Sequence, residues 1–140
     1  MENIDKWVLI NPKEKILTPN DWIWGDEMDS MYADPDHHRI IFENEWVRIL
    51  ELILLPGEKE SLHTHKCPGV MVIDQTSAMR YYGEDNVPLF DVPMPLGNQK
   101  QIMWREPQGL HALENRGEKP CHAFRIEQKM INPDQFIKGE

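Results

Sequence analysis

The chain has 140 residues, the size of a single domain, and its 24 acidic and 15 basic residues give a formal net charge of −9. This acidic balance argues against a nucleic-acid-binding surface and against a polybasic membrane patch, since both need clustered positive charge. A hydrophobic content of 40% is enough for one core, and no apolar run approaches the roughly 20 residues of a membrane span. Two cysteines and no recognisable signal peptide predict a soluble, cytoplasmic protein.

The first 38 residues are irregular and rich in tryptophan, and we call them the N-terminal arm. The segment from Trp7 to Ile10 predicts a short strand, and Trp22 and Trp24 follow before a glycine. Large aromatic side chains in so irregular a segment favour an anchoring role. We therefore expect the arm to pack on the rest of the protein or on a partner.

From residue 39 onward, short apolar segments alternate with turn signals. The predicted strands cover Arg39–Phe42, Trp46–Leu55, Val70–Ile73, Ala78–Tyr82, Phe90–Val92, Gln101–Trp104, Gly109–Asn115 and His122–Lys129. Many short strands with frequent turns are typical of a β-sandwich or barrel. The Pro-flanked segment Phe90–Val92 is typical of an edge strand.

The alternation within two of these strands predicts which side chains face the core. Apolar residues occupy both faces of Trp46–Leu55, which predicts a strand covered on both sides. In the last strand, His122 shares a face with Phe124 and Ile126, and this face is predicted to point into the core.

Among the six histidines, His63 and His65 form the most informative pair. Residues two apart on a strand point to the same side, so both imidazoles are predicted to share one face. Two imidazoles at this spacing can chelate a divalent ion such as Fe, Mn, Ni, Cu or Zn. His111 lies in an apolar strand, where a buried histidine with a structural role is the simpler interpretation, and His37 and His38 are predicted to be a surface pair.

The segment from Phe42 to Gln128 resembles a single cupin domain. Gly57, His63 and His65 match the first cupin motif, in which a glycine precedes an H-x-H pair by five residues. The second motif is matched by Pro107, Gly109, His111 and Asn115, with one residue fewer between the glycine and the histidine. The resemblance implies an all-β cupin fold, a double-stranded β-helix or jelly-roll barrel, over residues 39–130, preceded by the arm 1–38 and followed by a tail 131–140.

The same resemblance implies one divalent metal ion bound by His63, His65 and His111. The glutamate of the first motif would fall at position 69 or 70, where the chain has Gly69 and Val70. The implied site therefore has three imidazoles and no carboxylate, as in cupins that cleave diketones or oxidise thiols. Because neutral imidazoles leave the 2+ charge uncompensated, such a site favours an anionic substrate.

Other polar residues are candidates for supporting roles. Arg80 is a candidate to bind a second anionic group of the substrate, as are Arg105 and Tyr82, and Glu106 is a candidate to orient a ligand histidine or take a proton. Glu51 and Gln75 are further candidate acceptors for the second ring nitrogen of a ligand histidine. Among these we predict catalytic roles for Arg80 and Glu106.

Three functions remain open at this point. The first is a mononuclear Fe(II) dioxygenase-type enzyme acting on a small dicarbonyl or carboxylate compound. The second is an isomerase, epimerase or hydrolase that uses Zn or Mn, and Ni is also compatible with the site. The third is a cupin that binds a small ligand without turnover. We also expect a homodimer, because cupin-like sheets commonly associate and the arm is rich in tryptophan.

Overall fold

The computed structural model describes residues 7–10, 17, 21–95, 97 and 99–129. Within these ranges the regular secondary structure is almost all strand, as the sequence predicts. The strands are β1 (Trp7–Ile10), β2 (His38–Glu43), β3 (Val47–Leu54), β4 (His63–His65), β5 (Gly69–Gln75), β6 (Met79–Tyr82), β7 (Pro88–Val92), β8 (Lys100–Arg105), β9 (Gln108–Asn115) and β10 (Cys121–Gln128). A 3-10 turn, Asp26–Met28, leads into the short helix α1 (Ser30–Ala33).

The strands form two sheets that enclose the interior of a barrel. The larger sheet has the order β1-β8-β5-β10-β3-β2, and the smaller sheet has the order β4-β9-β6-β7. Strand β1 pairs in parallel with β8, and the other pairings are antiparallel. Strand β7 lies at the edge of the smaller sheet, which confirms the edge position predicted for Phe90–Val92.

The short helix joins the N-terminal arm to the barrel. The carboxylate of Asp29 caps the helix by accepting the Met31 N–H at 3.1 Å. The same carboxylate accepts a hydrogen bond from Arg48 of β3 at 2.8 Å, and the Thr64 hydroxyl of β4 donates to the Met28 carbonyl at 3.2 Å. These contacts fix this part of the arm against the strand that carries His63 and His65. The predicted boundaries of the arm and the tail stay predictions, and residues 131–140 lie outside the described residues.

The facing of β3 and β10 differs from the prediction. On β3, Leu50 and Leu54 are buried, but Ile53 on the other face is 42% exposed, so the strand is covered on one side only. On β10, the buried residues are Ala123, Arg125 and Glu127, and the face with His122 and its neighbours Phe124 and Ile126 points outward. The prediction that the face of β10 with His122, Phe124 and Ile126 belongs to the core is therefore wrong.

The interior is polar at the end where β4 and β9 meet the larger sheet. Small or apolar side chains such as Leu50, Met103 and Ala112 fill one part of it, whereas buried histidines and charged groups occupy the other. Charged side chains are buried only when they are paired, so this concentration marks a built site. In the part of the chain that the structure describes, no helix has the length and apolarity that a membrane crossing needs.

Candidate metal centre

Four buried histidines from three strands meet inside the barrel. His63 and His65 lie on β4, His111 lies directly opposite His63 on β9, and His38 begins β2. The His63 ring is 4.6 Å from the His38 ring and 4.6 Å from the His111 ring, measured between centroids. The His65 ring is 5.0 Å from His63, 5.5 Å from His38 and 5.6 Å from His111.

These rings form two overlapping sets of potential ligands. One ring nitrogen from each of His38, His63 and His65 lies within 4.8 Å of the others, a group that could hold a metal ion. The set predicted from the sequence has His111 as its third member instead of His38. The structure places all four rings together, and the assignment of His111 as a ligand stays a prediction.

Each of the four rings has its Nδ1 atom engaged by an acceptor. The distances are 2.8 Å from His63 to the Ser61 carbonyl, 2.6 Å from His111 to the Gly109 carbonyl, 3.0 Å from His38 to the Asp34 carbonyl, and 3.0 Å from His65 to the Glu127 carboxylate. These partners are acceptors, so the ring proton is assigned to Nδ1. This arrangement leaves Nε2 as the basic atom of each ring, as in histidines that bind metals.

The acceptors are not the residues that the sequence suggested. Glu51 accepts instead from His122 at 2.8 Å, and the Gln75 amide donates to the Thr76 carbonyl. The predicted assignment of these two residues is therefore wrong. Two of the actual acceptors are backbone carbonyls two residues from the ring, which no side-chain pattern reveals.

Burial keeps three of the four histidines neutral. It lowers the pKa of His63 to about 4, with the positive charge of His38 as the second cause. The pKa values of His65 and His111 are also lowered by burial, and the charge of Arg125 contributes to both. Neutral imidazole is the form that binds a metal, so the protein holds these rings ready for an ion.

His38 has an unsatisfied ring nitrogen in this cluster. Its side chain is fully buried, and its Nε2 atom has no hydrogen-bond partner and lies 3.5 Å from a Glu60 oxygen. Burial lowers the pKa of His38, but the Asp34 hydrogen bond and the Glu60 charge outweigh this and raise it. The prediction that His38 lies on the surface is therefore wrong. A buried imidazole nitrogen without a hydrogen-bond partner is uncommon, and in its neutral form this nitrogen is a candidate metal ligand.

Two buried carboxylates lie next to these rings. The Glu60 carboxylate is 3.9 Å from His63 Nε2 and accepts the Leu113 N–H at 2.9 Å. Burial raises the pKa of Glu60 to about 7. Burial also acts to raise the pKa of Asp34, but hydrogen bonds from His38, Ser61 and His37 lower it to about 2.

The absence of the motif glutamate at position 69 has a steric explanation. A Cβ built on Gly69 would lie 2.0 Å from the carbonyl oxygen of Ile126, so no side chain fits there. Strand β5 passes too close to β10 at this point to carry a ligand. The carboxylates at the site come instead from Glu60, three residues before His63, and from Glu127 on β10.

A cavity of about 900 Å³ opens beside the histidines. His63, His65 and His111 are part of its wall, together with Glu60 and Arg125. Trp24 of the arm also contributes, and it packs so closely on Gly109 that a Cβ there would lie 2.5 Å from the indole ring. The predicted Arg105 lines the cavity as well.

Arg80 and Glu106, the two predicted catalytic residues, lie elsewhere in the structure. Arg80 donates to Asp91 at 2.7 Å between β6 and β7, and Glu106 accepts from the Trp104 indole at 2.7 Å. Among the described residues that line the cavity, neither is present. Their catalytic roles stay predictions. Arg125 is a buried cation in the cavity wall. The sequence pattern did not identify it, because it predicted the opposite face of β10 to point into the core.

No protein-family model matches the sequence, and no curated protein matches it. The comparison with solved structures gives clear neighbours. A cupin domain from Bordetella pertussis Tohama I matches with a TM-score of 0.53 and 19% identity, over 66% of this chain and 92% of that one. The chain has the cupin fold. An RmlC-like cupin with a double-stranded β-helix from Methanocaldococcus jannaschii matches over 71% and 84%, with a TM-score of 0.48 and 17% identity.

The cupin fold predicted from the two motifs is thus confirmed, along with its two sheets and jelly-roll barrel. At this level of identity the likeness concerns the fold alone. A possible metal site is indicated by this chain's own residues, because buried imidazoles cluster in the interior of its cupin barrel. The identity of the metal is a separate question.

Proposed function

We propose that this protein is a metal-dependent cupin enzyme, and among such enzymes we favour a mononuclear Fe(II) dioxygenase type that acts on a dicarbonyl or carboxylate compound. The supporting observation is the convergence of four buried imidazoles whose Nδ1 atoms are all engaged. An all-nitrogen donor set suits iron, zinc, manganese or nickel. The chemistry of the donors therefore fits the proposed ion.

His63 and His65 are the ligands common to both sets, and we propose His111 as the third. His38 is a candidate fourth ligand because its Nε2 atom is buried without a partner. When bound, a divalent ion supplies Lewis-acid chemistry and, if it is iron, the capacity to react with oxygen. The three neutral imidazoles of His63, His65 and His111 leave the 2+ charge uncompensated, so an enolate or carboxylate is the expected substrate form.

The other residues of the cavity supply the surroundings for this chemistry. The apolar walls exclude water, which strengthens the attraction between the centre and an anion. Glu60 is fully buried in the wall beside His63, where it is placed to hold or move a proton. Glu127 fixes the ring of His65 by accepting its Nδ1 proton.

Metal analysis of untagged protein tests the proposed centre. We expect about one divalent ion per chain in the wild type and a loss of most of the metal in His63→Ala, His65→Ala and His111→Ala. The matched control is His122→Ala, which removes an imidazole outside the cavity and is expected to keep the metal. Full metal content in the triple variant would overturn the assignment.

Oxygen uptake tests the reaction. The iron-loaded protein is offered a panel of dicarbonyls, thiols and hydroxy acids, and uptake with at least one member is expected. Stoichiometric iron without uptake from any member of the panel would count against a dioxygenase.

A metal-dependent isomerase, epimerase or hydrolase is the second candidate, and Glu60 favours it. A buried carboxylate beside metal ligands, with its pKa raised to about 7 by burial, is suited to general acid–base chemistry near neutral pH. Stoichiometric zinc or manganese, with exchange of a substrate C–H for deuterium that is lost in Glu60→Gln, would favour this function. A cupin that binds a ligand without turnover is the remaining outcome.

A further inference from the structure

The cavity is larger and more apolar than a small dicarbonyl compound requires. Its volume of about 900 Å³ lies at the upper end of the range for sites that hold drug-sized molecules. Apart from the polar end at the histidines, its wall is formed mainly by apolar side chains, among them Leu52, Met71, Met79, Met103, Leu110 and Leu113. A compound of a few atoms would leave most of this wall without contacts.

Three parallel rings lead from the histidines to the surface. The Tyr81 ring stacks on His111 with a centroid distance of 5.4 Å and an angle of 10°, and it stacks on Phe90 at 5.0 Å and 10°. His111 is buried, whereas Phe90 on the edge strand β7 is 53% exposed. All three rings line the cavity, so one wall presents an aromatic surface from the mouth to the metal end.

A buried arginine lies at the metal end of the same cavity. Arg125 is 1% exposed, donates to the Gln108 side chain at 2.6 Å, and has its Nε atom 3.4 Å from a Glu127 oxygen. The Glu127 carboxylate is shared with Arg48, at 2.7 Å. Arg48 also binds Asp29 and does not line the cavity, whereas Arg125 is part of the cavity wall. Arg125 is therefore a guanidinium group placed to bind an anion at this end.

We infer that the ligand of this cavity is an organic acid, a carboxylate or an enolate, that carries an aromatic or long apolar group. Its anionic end lies toward Arg125 and the histidines, and its apolar end lies along Tyr81 and Phe90 toward the mouth. This inference rests on the proposed function for the position of the metal, and it goes further by giving the substrate its size and polarity.

Binding of three matched compounds tests this inference. Wild-type protein, both metal-loaded and metal-free, is titrated with 4-phenylbutyrate, 4-phenylbutyramide and butyrate, and binding is followed by calorimetry and by the fluorescence of Trp24 and the other tryptophans. We expect 4-phenylbutyrate to bind at least about tenfold more tightly than butyrate, because the phenyl group is removed from water. It should also bind more tightly than its neutral amide. Equal affinity for the acid and the amide, or for the long and the short acid, would overturn the inference.

A pair of arginine variants locates the anion site. Arg125→Gln is expected to lose the preference for the acid over the amide, whereas Arg116→Gln, which removes a guanidinium paired with Glu114 outside the cavity, is expected to keep it. Circular dichroism checks that Arg125→Gln is folded, and the comparison of compounds on wild-type protein stands without it. Metal content is measured separately, so a protein that prefers the acid but holds no metal sinks the proposed function and leaves this inference intact.

The outer face of the larger sheet carries an independent second inference. One row of cross-strand partners runs through five strands, and the next row runs through all six. The members of the first row are Phe42, Ile49, Ile126, Val70 and Trp104. The members of the second row are Leu9, Ile102, Val72, Phe124, Glu51 and Arg39.

Nine of the eleven side chains in these two rows are apolar, the other two, Glu51 and Arg39, form an ion pair, and all of them point away from the barrel interior. Leu9, Phe42 and Trp104 are 69%, 50% and 40% exposed. An antiparallel sheet with one face in water normally alternates apolar and polar residues. The nine apolar side chains depart from this alternation, so water is not their expected neighbour.

We propose that this face is buried against the same face of a second copy of the chain. Six strands about 4.8 Å apart, each up to eight residues long, present roughly 800 Å², the area that one partner contributes to a standard interface. A twofold axis brings the same patch together from both copies. The two charged members of these rows, Glu51 and Arg39, are paired with each other, so the rows add no net charge to a contact between two chains of net charge −9.

Light scattering of the purified protein at micromolar concentration tests this proposal. The wild type is expected to have twice the chain mass of 16.5 kDa, and Phe124→Lys, with its fold checked by circular dichroism, is expected to be monomeric. The matched control is Tyr32→Lys, which changes an aromatic residue that is 73% exposed on α1 and should stay dimeric. A monomeric wild type, or a dimeric Phe124→Lys protein, would overturn the proposal.

Discussion

The Nδ1 proton of His65 is donated to a Glu127 oxygen across 3.0 Å, deep inside the barrel. The other Glu127 oxygen lies 2.7 Å from Arg48, and Arg48 in turn binds Asp29 of the arm. One buried carboxylate thus connects a candidate metal ligand to the segment that precedes the barrel.

We predict that Glu127→Ala lowers the free energy of unfolding by about 3–5 kcal/mol, because it removes the carboxylate that pairs with the buried Arg125 and one of the two that pair with Arg48. Glu127→Gln should cost less, since its amide oxygen can still accept the His65 proton. Urea unfolding measures both. Glu118→Gln, at an exposed position between β9 and β10, is the control, and it should change the stability little. A Glu127→Ala protein as stable as this control would contradict the role given to the carboxylate.

We predict that His38→Gln weakens metal binding by about 10–100-fold while His37→Gln leaves it unchanged. The two residues are adjacent and both hydrogen-bond to Asp34, but only the His38 ring lies beside His63 and His65. Competition with a chromophoric chelator gives the affinities. Equal affinities for the two variants would mean that His38 plays no part in holding the ion.

We predict that Gly69→Ala destabilises the protein by at least about 1–3 kcal/mol, because the new Cβ forces β5 and β10 apart. Gly83→Ala is the matched control. A Cβ at Gly83 meets only the flexible Leu89 side chain at 3.1 Å, so a smaller loss is expected. Thermal or urea unfolding of the two variants decides. Similar losses would show that the close approach of the two strands is not rigid.

The His122 ring lies between two carboxylates on the outer face, 2.5 Å from Asp74 and 2.8 Å from Glu51. Partial burial lowers its pKa, but the hydrogen bonds that His122 donates to Glu51 and Asp74 outweigh this and raise it above the usual 6.5. A histidine with a raised pKa stabilises the folded state below its unfolded pKa, and the stabilisation is lost as the pH rises through the folded pKa.

We therefore predict that the melting temperature of His122→Gln falls below that of the wild type at about pH 5.5, and that the difference shrinks toward pH 9. The effect is expected to be below about 1 kcal/mol, because the pair is partly exposed. Melting curves across this pH range provide the measurement. A difference that grows with pH would refute the direction.

The strands and the metal motif could be predicted because both depend on local patterns. Alternation and turn residues predict most strand ends to within one or two residues of those in the structure. That His63 and His65 share one face follows from strand geometry alone. His111 could be added because the second motif has a recognisable spacing. Each of these signals lies within a few residues of sequence.

The facing of the strands could not be predicted because alternation gives two faces without saying which one is inside. In β10 the apolar face with Phe124 was taken as the core, yet the structure buries Arg125 and Glu127 instead. For the same reason, the sequence pattern does not identify Arg125 and Glu127 as polar residues beside the site. His38 was missed for a related reason, since nothing local shows that β2 pairs with β3 and thereby brings this ring to His63.

Strand β10 is the last described strand in the chain, yet it lies between β3 and β5 in the middle of the larger sheet. Strands β3 and β5 are synthesised before β10 and do not pair with each other. The larger sheet is therefore incomplete until residues 121–128 are available. Folding must therefore wait for contacts between residues more than 70 positions apart, such as Glu127 with Arg48, and topologies of this kind fold slowly. On the ribosome, the four histidines emerge before the strand that carries the acceptor for His65. A chain interrupted before Cys121 would thus contain every candidate metal ligand and lack the strand that holds them in place.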